Sequence, residues 1–75
     1  MNNLKVGDIL YYSFFHNKAI CIARLKFGGW EGNRMVVRCF TAGFDTLKYP
    51  SEQQHLFKTP LEAFEDGLKK YADVW

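Results

Sequence analysis

What this chain has little of narrows its chemistry first. It holds two cysteines, Cys21 and Cys39, and two prolines, Pro50 and Pro60, among 75 residues. Two cysteines do not make a disulfide framework, and both lie inside apolar runs, as free thiols used as small hydrophobes do. A reducing cytosol is therefore expected, with a single bridge between Cys21 and Cys39 as the alternative. No apolar run approaches the ~20 residues that cross a bilayer. The opening "MNNLKVGDIL" lacks the basic, then apolar, then small-residue order of an export signal, so a cytoplasmic protein with no membrane contact is expected. There is no C-x-x-C or H-x-x-x-H pair, so no metal site is expected from Cys21, Cys39, His16 and His55. "FGGWEGN" carries three glycines without the spacing of a phosphate or dinucleotide loop, and no helix follows it. His16 and His55 have no Ser, Cys or carboxylate at a spacing that specifies a nucleophile and its base. The expectation is a protein that is not an enzyme and carries no cofactor.

What is present supports a packed core. Hydrophobic residues make up 48% of the chain, and seven Phe, four Tyr and two Trp supply unusually many rings for its length, which favours collapse over disorder. A second core would have too few residues to offset chain entropy, so residues 1–75 read as one domain. Net charge is only +2, but residues 1–58 hold eight Lys/Arg against four Asp/Glu, and residues 59–75 hold two against four. The imbalance suits an acidic partner for the first part of the chain.

Local patterns give the elements. "DILYYSFF" (8–15), "AICIARLKF" (19–27) and "RMVVRCFT" (34–41) are rich in branched and aromatic residues and are separated by "HNK" and "GGWEGN", which predicts a three-stranded meander. "TLKYP" and "HLFK" offer one or two edge strands, the first stopping at Pro50. "TPLEAFEDGLKKY" predicts a helix, with Thr59 as cap, Pro60 at the first position and Glu62 reaching back to the cap's backbone. Glu65/Lys69 and Asp66/Lys70 are favourable pairs one turn apart. Gly67 weakens the helix by about 1 kcal/mol relative to alanine, so packing must hold it. The stripe Leu61, Phe64, Leu68 and Tyr71 is the expected contact, extended by Val74 and Trp75. The predicted fold class is α+β: a curved antiparallel sheet of three to five strands with one C-terminal helix packed on it.

Alternation then sorts the meander into two walls. If Phe15 and Lys18 close the first turn and Arg24 stands opposite Arg38, one wall collects Leu10, Tyr12, Phe14, Ala19, Cys21, Ala23, Leu25, Met35, Val37 and Cys39. That wall is the predicted core. The other collects Ile9, Tyr11, Phe15, Ile20, Ile22, Arg24, Lys26, Arg34, Val36, Arg38 and Phe40. A one-residue slip of the second hairpin would bury Arg34 and Arg38 without partners. The mixed wall reads either as a recognition surface, with guanidinium groups beside rings, or as a rim of a small barrel whose basic side chains cover apolar surface. Trp30, set among glycines at the expected hairpin tip, either folds over the sheet or anchors an interface.

"LKVGDILYYSFF" followed by "KAICIARLKF" resembles the opening of small SH3-like β-barrels, in which a Lys-x-Gly-Asp turn leads into a strand and a returning hairpin. The resemblance covers about half the chain and rests on Val6, Gly7, Asp8 and the strand spacing. It implies binding of nucleic acid or protein segments through loops and one open face, and so points to Tyr11, Trp30 and the neighbouring cations. The compact format without catalytic apparatus is also similar in composition to small phage or mobile-element proteins that occupy a host protein's surface. The leading expectation is a non-enzymatic module that binds a protein or protein complex through Tyr11, Arg24, Lys26, Trp30, Arg34, Arg38 and Phe40. Nucleic-acid binding by the same surface is the alternative, and a structural homodimer packed through it is the third.

Overall fold

The computed structural model describes residues 4–40 and 45–74. Strands β1 (Ile9–His16), β2 (Ala19–Glu31), β3 (Arg34–Cys39) and β4 (Asp45–Lys48) are followed by a short helix α1 (Pro50–Gln53), a longer helix α2 (Pro60–Lys70) and a 3-10 turn (Ala72–Val74). The four strands form one antiparallel sheet in chain order, β1-β2-β3-β4. The α+β class and the meander match the sequence expectation. Of the two candidate edge segments, the first is β4, and the second is reduced to a single bridge between Tyr11 and Phe57 at the free side of β1. Thr41, placed at the end of the third strand, and Trp75 lie outside the described residues, as does the side chain of Val74.

Both hairpins keep the predicted parity but not the predicted partners. His16 pairs with Ala19 and encloses a turn of Asn17 and Lys18, whose φ angles of 51° and 59° give the left-handed geometry that matches strand twist. Each β1 residue therefore meets a partner two positions further along β2 than expected, and the faces are unchanged. In the second hairpin β2 does not stop at Phe27. It continues through a bulge between Phe27 and Gly29, Trp30 pairs with Met35, Glu31 pairs with Arg34, and the tip shrinks to Gly32 and Asn33. Gly29 at φ 119° and Gly32 at φ 64° supply the backbone freedom that the bulge and the tight turn need. Arg38 consequently stands opposite Lys26 rather than Arg24.

The core occupies the predicted wall. Leu10, Leu25, Phe27, Met35 and Val37 are buried there together with Leu56, and Leu4, Tyr12 and Cys39 pack against them. Leu56 comes from the segment after α1, so the chain beyond β4 folds over this wall before Phe57 returns to β1. Cys21 and Cys39 are both free thiols. Burial is the first cause that pushes the Tyr12 phenol above its usual pKa, and Lys48 Nζ lies 5.0 Å from its ring centroid.

Helix α2 departs from expectation in the face it buries. Its cap is as predicted at Thr59, whose Oγ1 accepts from the Glu62 N–H at 3.2 Å. The Glu62 carboxylate accepts from the Thr59 hydroxyl at 2.9 Å instead of reaching the cap's backbone. Ala63 and Gly67 are the buried positions, whereas Leu61, Phe64 and Leu68 are 66%, 40% and 43% exposed. The reason is steric. A Cβ on Gly67 would lie 2.8 Å from Ser13 Cβ and Oγ and 2.9 Å from Ile20 Cγ2, so the helix backbone sits almost on the strands, and only its two smallest residues fit between. Of the predicted stripe only Tyr71 turns inward, its ring 5.7 Å from that of Phe15. Polar groups complete the clamp: Lys70 Nζ donates to the Ser13 carbonyl at 2.8 Å and lies 3.6 Å from Asp66, which His55 Nδ1 meets at 3.0 Å.

Candidate protein-binding face

The wall opposite the core divides in two. Helix α2 stands over Ser13 and Ile20, on β1 and the start of β2. The remainder, across β2, β3 and β4, carries the cations. Pairing places Lys26 beside Arg38 and Arg38 beside Asp45, with Val36 beside Leu47 in the next row. Arg24 continues the β2 column and Arg34 the β3 column, and Phe40 and Tyr49 follow the ends of β3 and β4. Arg24, Lys26, Arg38, Phe40, Leu47 and Tyr49 are exposed, and Arg34 and Val36 are half-buried. A shallow depression of about 250 Å³ opens among Val6, Lys26, Gly28, Arg38 and Asp45.

Among the described residues, Arg24, Arg34 and Arg38 each have a neighbouring ring or carboxylate. The Arg24 guanidinium lies 4.7 Å from the Phe40 ring centroid, and that of Arg34 lies 5.8 Å from Tyr49. Arg38 Nε meets Asp45 Oδ1 at 2.9 Å, both side chains being more than half exposed, a pair worth about 0 to 1 kcal/mol in water. Lys26 stands opposite Arg38, and the Asp45 carboxylate offsets the repulsion that two like charges in register would otherwise produce. Contact between these guanidinium groups and rings restricts both side chains, which pre-orders them for contact with a partner.

Arg24, Lys26, Arg34, Arg38 and Phe40 thus come together as expected, and two predicted residues do not join them at the centre. Tyr11 shares the wall's parity but sits at its β1 border, half-buried, with its N–H and carbonyl both bonded to Phe57 at 2.7 and 2.8 Å. Trp30 is on the other wall. It pairs with Met35 and makes an edge contact with Phe27 at 5.6 Å and 68°, and it remains 50% exposed. The expected Trp-bearing loop is strand, because the Gly28 and Gly29 bulge lets β2 run on and turns the indole toward the core side. Asp45, Leu47 and Tyr49 were not singled out from sequence. The pattern that could have found them is the alternation D-x-L-x-Y, whose period of two puts all three on one face once β4 is accepted as a strand.

Among the described residues no group of three or more His, Cys, Asp and Glu is placed to hold a metal ion, and no helix is long and apolar enough to cross a membrane. No family model, no curated protein and no solved structure matches this chain.

Proposed function

We propose that this chain is a small binding module that engages an acidic protein surface through the outer face of β2, β3 and β4. The observation that carries the reading is the gathering of Arg24, Lys26, Arg34 and Arg38 with Phe40, Val36, Leu47 and Tyr49 on a wall that α2 covers only at its β1 end. Arginine and tyrosine around a small apolar centre are the residue types that carry binding energy between proteins. The SH3-like reading draws support from the meander, the helical turn at Pro50–Gln53 and the return of Phe57 to the β1 edge. Within the phage-type reading, the partner is a host protein whose surface the face occupies.

Affinity capture from nuclease-treated native lysate tests this directly. The wild type is expected to retain a partner that Arg24→Glu/Lys26→Glu loses; equal recovery by both overturns the reading. Four cations on one face also favour nucleic acid as a second reading. If it holds, affinity for a short labelled single strand falls with added salt, with a log–log slope of about −3 for four phosphates neutralised. Binding that disregards salt removes it.

A further inference from the structure

A second site lies apart from the basic wall. Where the chain after α1 and the end of α2 meet β1, the side chains of Tyr12, Leu56 and Tyr71 help to wall a cavity of about 180 Å³. A cavity of about 150 Å³ is enough to hold a benzene ring. Ser51 and Glu52, both exposed, border it, so solvent reaches it.

The acceptors around this cavity are already taken. Glu52 accepts from the Tyr49 N–H at 2.9 Å. Asp66, next to the lining residues His55 and Lys70, meets His55 Nδ1 at 3.0 Å and lies 3.6 Å from Lys70 Nζ. Lys70 Nζ also donates to the Ser13 carbonyl at 2.8 Å, which spends its charge and its hydrogen bonds within the fold. The donors fare otherwise. Lys48, half-buried on the lining, has its Nζ 5.0 Å from the Tyr12 ring centroid and, among the described residues, meets no carboxylate. Ser13, also on the lining, buries its Oγ without a hydrogen-bond partner, although buried polar groups in folded proteins are nearly always bonded.

A pocket with ring walls, filled acceptors and one ammonium to spare suits an apolar body carrying a single negative charge. We propose that this cavity binds a small carboxylate with a flat apolar body, the carboxylate against Lys48 Nζ and the body between Tyr12, Leu56 and Tyr71. Glu52 at its border disfavours a dianion. The site is separate from the protein-binding face, and its occupancy does not require a partner there.

Titration of the 15N-labelled chain with benzoate tests this, with benzyl alcohol, acetate and inorganic phosphate run in parallel. Benzoate is expected to shift the amides of Ser13, Lys48, Ser51 and Lys70 with millimolar affinity. Benzyl alcohol lacks the charge and acetate lacks the ring, so each is expected to bind about tenfold more weakly. Lys48→Gln keeps much of the stem and removes the charge; with its free spectrum showing the native fold, it is expected to bind benzoate about tenfold more weakly than the wild type. No shift at tens of millimolar benzoate overturns the proposal, as does benzyl alcohol or phosphate binding as well as benzoate. Undiminished affinity in Lys48→Gln also overturns it. Shifts confined to Lys26, Val36 and Arg38 overturn it too, because the anion would then sit on the basic wall.

Discussion

At Gly67 the usual ranking of helix residues reverses. Alanine in place of glycine at an exposed helical position gains about 1 kcal/mol, yet here the new Cβ would fall 2.8 Å from Ser13. Forcing a methyl group into a packed contact costs about 1 to 3 kcal/mol, so Gly67→Ala is expected to destabilise the fold by roughly 1 to 2 kcal/mol in urea denaturation. An increase in the midpoint would show that α2 stands off the sheet. The same contact holds the opposite opportunity. Ser13 Oγ is buried without a hydrogen-bond partner, and an unsatisfied buried hydroxyl costs about 1 to 3 kcal/mol. Ser13→Ala keeps the Cβ that meets the helix and removes the orphan oxygen, so it is expected to raise stability by about 1 kcal/mol. Gly67 thus explains why the helix stripe misled the sequence reading. Spacing identifies which residues share a helix face, but it does not reveal that a glycine and an alanine on another face permit a closer approach.

Among the elements, the β1 to β2 hairpin carries local strain. Lys18 is held at φ 59°, a region that costs a residue with a Cβ roughly 1 kcal/mol. Lys18→Gly is expected to raise the thermal midpoint by a few degrees, equivalent to about 0.5 to 1 kcal/mol, with no change in amide shifts away from the turn. Strand faces were legible in the sequence because burying Arg34 and Arg38 excludes the wrong parity. Partners within the hairpins were not, since a shift of two residues leaves both faces intact and so carries no penalty in hydrophobic pattern. The bulge at Gly28 and Gly29 was hidden for a related reason. Glycine pairs mark loops and bulges alike, and only the longer ladder on the far side, with Trp30 on Phe27 and Glu31 beside Arg34, selects the bulge. α1 escaped notice as a helix because it is four residues long, held at its start by the Tyr49 N–H donating to Glu52 at 2.9 Å.

For the molecule as a whole, the core wall carries a dependence on pH. Tyr12 titrates above its ordinary value of 10.0 because burial disfavours the phenolate. The unfolded chain therefore gives up this proton first. Its contribution to stability is complete below pH 10.0 and drains away as pH rises through the folded-state value. Denaturation midpoints should fall as pH rises above 10.0 in the wild type and fall less in Tyr12→Phe; identical slopes would place Tyr12 in water. The outer wall competes with another exposed surface, the Leu61, Phe64 and Leu68 stripe, for the role of working face. Amide hydrogen exchange of the chain, free and in complex with the partner captured from lysate, separates them most directly. Slowed exchange at Lys26, Val36, Arg38 and Leu47, with Leu61 to Leu68 unchanged, is the predicted result; protection confined to Leu61, Phe64 and Leu68 would contradict it.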